Sequence, residues 1–555
     1  MDTLKQSIKN VVLDTYDVTL DDVDVTYPDA QFGDYSTNVA MQLAKKVGKN
    51  PKEIANDLAE QLKQNKNYKN VDVAGPGFIN ITLQDNVLLS SWSVTPNQIY
   101  KDKVVIAEYS DPNAFKALHA GHLYTTLVGN AIAGLIEATG ATIYRLNYGG
   151  DVGLHAARAM WGIITSLDGE NPQNLSSVPK SERSTWISQR YVEGNTAYET
   201  NEQAKEQITA YNKQIYDIHT NNDRTSNFAQ IYWTCRQWSY DGFDQMYKEL
   251  GVTPFNEYIP ESTVTPIGIK TVERGLSEGV FVESDGAIVY PGEKYGLHTR
   301  VFLTSKGLPT YEAKELGLAL YKWQKYQFNK SIVITGNDIV EYMKVLFSAM
   351  THFYPEVEQR TTHLTHGMIK LVGVKKMSSR KGNVLMANDI IESAIAANAQ
   401  NSGKDNKDVA IGAIKYAFLK QRIGGDIVYN PEESISLAGN SGPYLQYAHA
   451  RARSILQKSS VEKSDAVNDL DDFERALAQQ LLRYKGVVDL AVNELMPHHI
   501  CTYLYELTQV FNRFYENSKV IGDDREPIRK LLVERYADTL KAGLHILGIT
   551  APNKM

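Results

Sequence analysis

Apolar residues recur at helical spacing from Thr3 to Leu13 and from Pro51 to Gln64, on either side of a Gly33-Asp34-Tyr35 turn. Val71 to Ile81 then reads as strand, tight turn, strand, with Ala74-Gly75-Pro76-Gly77 as the turn. Residues 91 to 102, around Trp92, are rich in Ser, Thr, Pro and Asn and predict a linker. After it the pattern changes. A β-branched run, Val104 to Ile106, precedes a long helical pattern, Leu123 to Thr139, closed by Gly140. A second strand-like segment, Ala141 to Leu146, follows. Strand, turn, helix and strand predict a βαβ unit of a parallel sheet, with ligands at the carboxyl ends of its strands.

Val152 to about Ser239 is mostly helical, with a polar break from Gly169 to Ser184 that predicts an inserted surface loop. Residues 264 to 304 read as strands, of which Gly286 to Tyr290 and Arg300 to Thr304 are examples. Helix Tyr311 to Tyr326 and strand Ser331 to Thr335 resume the α/β alternation. From about residue 406 the spacing is helical to the end, in Ile411 to Leu419, Tyr444 to Ile455, Phe473 to Leu482, Tyr503 to Phe514 and Ile528 to Leu547. The expected architecture is a Rossmann-type α/β domain over residues 91–405. A small α+β N-terminal domain, 1–90, precedes it, and an all-α C-terminal helical bundle, 406–555, follows.

At 555 residues the chain is too long for one core. Its 43% hydrophobic and 22% charged content is that of an ordinary globular protein. No apolar run is long enough to span a bilayer, so no membrane partner is expected. Met1 to Gln6 lacks the basic-then-apolar pattern of a secretory signal. Cys235 and Cys501 alone make neither a disulfide framework nor a cysteine zinc site. A cytoplasmic protein is expected. A net charge of −7 argues mildly against a nucleic-acid partner. Local basic patches at Lys375-Lys376, Arg380-Lys381, Lys420 to Arg422 and Arg451 to Arg453 keep one open.

The most informative residues run from Ser110 to His122: Ser-Asp-Pro-Asn-Ala-Phe-Lys-Ala-Leu-His-Ala-Gly-His. His119 and His122 fall at the start of the helix, three apart on one face. Free amides and the positive dipole end there suit an anion, and Gly121 leaves room for a flat ring. Two imidazole donors at that point could stabilise charge growing on a transferring phosphoryl group. A lone His-x-x-His fits a helix cap or a metal as well. The longer string, Ser-x-Pro-Asn-x-x-Lys-x-x-His-x-Gly-His, resembles the nucleotide signature of class I aminoacyl-tRNA synthetases, specifically the arginyl-tRNA synthetases.

That resemblance implies arginine activation by ATP, accompanied by Mg²⁺ but with no dedicated metal site, and transfer of arginine to tRNA(Arg). It places His119, His122 and Lys116 at the phosphates and adenine, with Gly121. Lys376-Met377-Ser378-Ser379-Arg380-Lys381 resembles the family's Lys-Met-Ser-Lys loop, with Ser379 where the second Lys would stand. Lys376, Met377, Ser378 and Lys381 would close over ATP, and Lys116 would supply the charge that Ser379 lacks. Gly149-Gly150-Asp151-Val152-Gly153 resembles the family's Gly-Asp-Trp-Gly segment and puts Gly150 and Asp151 at ATP.

A guanidinium pairs bidentately with carboxylates. By resemblance, Glu108, Asp111, Pro112, Asn113 and His122 contact arginine, together with Tyr311, Glu315 and Asp338. Glu315 replaces a family Asp, and as a bare pattern it also fits a surface partner of a nearby Lys. For tRNA the resemblance points to Phe78 and Asn80 in the first domain and to Tyr444, Tyr447 and Met555 in the last. Phe78 could equally be core and Asn80 a turn residue, and both tyrosines could be bundle core. A monomer is expected. Two other readings stay open: a related nucleotidyltransferase acting on a small acceptor, and a synthetase-like RNA-binding protein without activity.

Overall fold

The computed structural model describes residues 2–372, 385–402, 406–465 and 469–555. Its centre is a five-stranded sheet in the order Thr361–His366, Lys330–Gly336, Val104–Glu108, Thr142–Gly149, Glu257–Pro260. Every neighbouring pair is parallel. From Val104–Glu108 the chain builds outward through Thr142–Gly149 and Glu257–Pro260. It then returns to add Lys330–Gly336 and Thr361–His366 on the other side. The direction of winding reverses between Val104–Glu108 and Lys330–Gly336, so a crevice opens at their carboxyl ends.

Helix Ala120–Ala138 packs against the sheet and is buried on nearly every side, as its almost uninterrupted apolar sequence requires. Its approach is close enough that a Cβ on Gly129 would lie 2.1 Å from Tyr109 Cγ. Gly129→Ala should therefore cost about 1–3 kcal/mol by overpacking, although alanine favours the helix by about 1 kcal/mol. A lower urea midpoint checks this, and an unchanged one would show that Tyr109 moves aside freely.

Helices Leu154–Ser166, Arg183–Thr200, Glu202–Thr220 and Asn227–Glu249 form the insertion. The polar break holds short 3-10 turns, Pro172–Ser177 and Lys180–Glu182. The expected strands begin later than residue 264, because Glu261–Ser277 is a helix that includes Pro266. Its β-branched residues read locally as strand, but tertiary packing overrides them. A Cβ on Gly268 would sit 2.0 Å from Ala313 O, so this helix lies backbone to backbone on helix Tyr311–Tyr326.

The N-terminal residues form an antiparallel sheet in the order Val25–Thr26, Tyr35–Thr37, Phe78–Leu83, Tyr68–Ala74, beside helices Asp2–Tyr16, Val39–Val47 and Pro51–Leu62. Asp34, in the predicted turn, is buried against the C-terminal bundle. Arg475, on helix Asp472–Leu482, reaches Asp34 Oδ2 at 2.8 Å and also pairs with the buried Asp85. Among the described residues the C-terminal part is helical from Lys407–Leu419 onward, with one strand that the periodicity missed. Strand Ile427–Tyr429 pairs in parallel with Ile369–Leu371, stitching the bundle to the sheet domain. Among the described residues no helix is long and apolar enough to cross a membrane.

Candidate active site

The loop leaving Val104–Glu108 is held in an unusual path. Ser110, Asp111 and Phe115 all have left-handed backbone, at φ 78°, 49° and 67°. Such conformations cost free energy and persist only where surrounding contacts over-determine them. Here they do. Ser110 Oγ lies 2.6 Å from Tyr247 Oη, and Phe115 N donates to Ser239 Oγ at 3.0 Å. Asp111 Oδ1 accepts from Tyr148 N at 2.8 Å, and Asn113 Oδ1 accepts from Gly150 N at 3.0 Å. A Cβ on Gly150 would sit 2.2 Å from Asn113 Oδ1, so only glycine lets the two loops meet.

His119 caps helix Ala120–Ala138 and His122 is its third residue. Each backbone N–H donates to the other's Nδ1 at 3.3 Å, a reciprocal capping box. The rings stack with centroids 3.7 Å apart. An accepting Nδ1 leaves the proton on Nε2, so both rings offer an Nε2–H. Burial lowers both pKa values, His122 furthest, with Lys116 adding to the shift. Both are neutral donors at pH 7.

These rings border a cavity of about 680 Å³ at the switch between the sheet halves. Gly121, Asn113, Gly150 and Asp338 also line it, as do His366 and Tyr311. The charge on Asp338 acts on His119 and His366. At the other end stand the carboxylates of Glu108, Asp111, Glu261 and Glu315. Two are already paired: Glu108 with Lys322 at 2.6 Å and Glu261 with Lys314. Glu315 has no hydrogen bond or ion pair from any described residue. Burial, then the neighbouring Glu108, pushes its carboxyl up to about 8. The same causes raise Asp111 well above the carboxylate range. The pocket thus holds more acid than base, an environment that a cationic ligand would stabilise.

Other sequence candidates lie elsewhere. Asp151 is fully buried and spent on Arg236 at 3.0 Å and on Ser262 N and Oγ at 2.9 and 2.7 Å, and it does not line the cavity. Pro112, within the same loop, is buried, its carbonyl against Gly149. The Lys116 ammonium sits over the Tyr191 ring, 4.6 Å from its centroid. Lys376, Met377, Ser378, Ser379 and Lys381 lie outside the described residues. Phe78 is 40% exposed, not core, and Asn80 is buried in mid-strand, not in a turn. Tyr444 is half-buried and its hydroxyl accepts from Asn512 Nδ2 at 2.8 Å. Tyr447 is 47% exposed and Met555 43%.

Sequence reasoning missed Glu261, Lys314, Lys322, His366 and Tyr148, whose buried hydroxyl has no partner among the described residues. One signal was available. Tyr311, Glu315 and Lys322 are four and then seven apart, which is one helix face.

Three sequence profiles cover nearly the whole chain. Residues 2–83 match the arginyl tRNA synthetase N terminal domain, 84–430 the class I (R) tRNA synthetase catalytic domain, and 445–555 the DALR anticodon binding domain. The chain belongs to the arginyl-tRNA synthetases. It is 28% identical to the arginine–tRNA ligase of Flavobacterium psychrophilum, over 100% of this chain and 99% of that one. With the ligase of Pasteurella multocida it shares 29%, over 95% and 96%. The Thermus thermophilus arginyl-tRNA synthetase has the same fold, with a TM-score of 0.79 at 24% identity over the whole of both chains. The Plasmodium falciparum synthetase superposes with a TM-score of 0.78 at 22% identity, over 100% of this chain and 99% of that one. The enzyme is thus a class I ligase of arginine and tRNA that uses ATP, with the three-part architecture of its family. Neither a small-acceptor nucleotidyltransferase nor an inactive RNA-binding protein fits that membership.

Proposed function

We propose that ATP lies along the His119–His122 end of the cavity and arginine along the Glu108–Glu315 end. The arginine carboxylate then attacks the α-phosphorus in line. A bond forms from carboxylate oxygen to phosphorus as the bond to pyrophosphate breaks, leaving arginyl-adenylate. The 2′-hydroxyl of the terminal adenosine of tRNA(Arg) next attacks the acyl carbon and releases AMP. Most of this catalysis is positioning and charge stabilisation. The two Nε2–H donors meet the phosphates, and Mg²⁺ enters with ATP. Lys116 leaves Tyr191 to reach the pyrophosphate, while Lys376 and Lys381 cover it. Asp338, facing the histidines, serves the nucleotide end rather than arginine. We read the protein as a cytoplasmic monomer.

The observation that carries this reading is Glu315, a buried carboxylate with no partner among the described residues, beside Glu108 and Asp111. ATP–pyrophosphate exchange with each of the twenty amino acids, with and without tRNA, tests it. Arginine alone should support exchange, and only with tRNA present. Lysine should fail because its point-like ammonium cannot fill a fork-shaped acidic site. Equal exchange with lysine would overturn the assignment.

The tRNA should meet Tyr447 through its anticodon bases, with Arg451 held nearby over Tyr515 at 4.4 Å. Stacking on an exposed ring contributes about 1–3 kcal/mol per base. Tyr447→Ala should accordingly raise the KM for tRNA about 5- to 150-fold and leave arginine affinity unchanged. An unaltered KM would remove Tyr447 from the interface.

A further inference from the structure

Helix Ala120–Ala138, which carries the histidine pair, is gripped at mid-length by the C-terminal segment. A Cβ on Gly134 would lie 2.7 Å from Ile546 O. Asn130 Oδ1 accepts from Thr253 N at 3.0 Å, and its Nδ2 lies 2.7 Å from where a Cβ on Gly548 would be. Lys415, on helix Lys407–Leu419, reaches the same point. Its buried ammonium donates to the carbonyl of Gly548 and, at 3.3 Å, to that of Gly251. No carboxylate pairs with it among the described residues; Asp408, two turns earlier, acts only from a distance. Burial pushes its pKa down to about 8. A buried ammonium held by carbonyls, with no carboxylate paired to it among the described residues, costs free energy. Its use lies in what it joins.

From Gly548 the chain continues onto helix Gly442–Lys458. Gln446 Nε2 donates to Thr550 O at 3.0 Å, and His449 Nδ1 donates to Pro552 O at 2.8 Å. The same helix meets Lys407–Leu419 directly, since a Cβ on Gly442 would sit 2.4 Å from Gly412 O. The helix that shows Tyr447 to solvent is thus fastened, by two close-packed routes, to the middle of the helix that holds His119 and His122.

We propose that Lys415 is a positioning residue that couples occupancy of the Tyr444–Tyr447 face to the placement of the histidine pair. This rests on the reading of that face as the anticodon site. Removing the ammonium takes the shared donor from the carbonyls of Gly548 and Gly251 and loosens the tail against helix Ala120–Ala138. Energetic coupling of this kind needs a contiguous packed route with two arrangements, and here the route is short.

Hydrogen exchange on the full chain tests it, with a stem–loop RNA carrying the anticodon as probe. In the wild type the RNA should bind and slow exchange at residues 120–126 about fivefold or more. Lys415→Met should bind the RNA equally well and lose that protection. Binding in the wild type without any change at 120–126 overturns the coupling while leaving the anticodon face intact, and needs no variant to fold. Protection that survives in Lys415→Met removes Lys415 from the link. Failure of the RNA to bind overturns the anticodon reading, and the proposal with it.

Discussion

Arginine is expected to bind more tightly as pH rises from about 6 to about 8. In the empty pocket burial and Glu108 hold the Glu315 carboxyl at about 8, so it keeps its proton at pH 7. A guanidinium needs the carboxylate. Below that pKa the proton must leave on binding, so each pH unit lower weakens affinity about tenfold, and above it the dependence levels off. Calorimetry at pH 7 in buffers of different ionisation heat should read about one proton released per arginine bound. Glu315→Gln should flatten the profile and weaken binding by about 2–5 kcal/mol, roughly 30- to 5,000-fold. A wild-type profile already flat, or a variant that keeps the slope, would mean that Glu315 does not face the substrate.

Arg475→Met is expected to lower stability by about 3–5 kcal/mol, because it strands two buried carboxylates. Asp34 would keep Leu83 N at 2.6 Å and Gln479 Nε2 at 2.8 Å. Asp85 would keep Leu470 N at 3.1 Å and a Lys69 contact at 3.3 Å. Neither would retain the guanidinium that joins them across the boundary of the first domain. The exposed pair Lys5–Asp22, at 3.1 Å, is the control. Lys5→Met should change the urea midpoint by less than about 1 kcal/mol. A similarly small loss for Arg475→Met would show that the first domain docks mainly through its apolar contacts, such as Tyr27 beneath Gly486.

The candidate site was legible in the sequence where its residues are close along the chain. Glu108 through His122 form one loop, and their types, order and spacing could be read directly. Asp151 was ambiguous, because a Gly-Asp turn has the same local pattern whether its carboxylate meets a ligand or is bonded, as here, to Arg236 and Ser262. Glu315 was ambiguous for a related reason. A charge on an amphipathic helix does not reveal whether the helix turns it to water or to a pocket.

Element order and helix placement were determined by the sequence alone, since hydrophobic periods of two and 3.6 are local properties. Even there packing overrode the pattern, at Glu261–Ser277, where glycines let two helices touch, and at Ile427–Tyr429, a strand paired with Ile369–Leu371. Only the tertiary structure decided that Glu108, Glu261 and Glu315, drawn from distant segments, share one cavity with fewer cations than acids. It alone separated exposed Tyr447 from half-buried Tyr444, and gave Arg475 and Lys415 their partners. The reason is physical. Burial and the identity of a charge's neighbours are set by contacts between segments hundreds of residues apart, and those contacts exist only once the chain has packed.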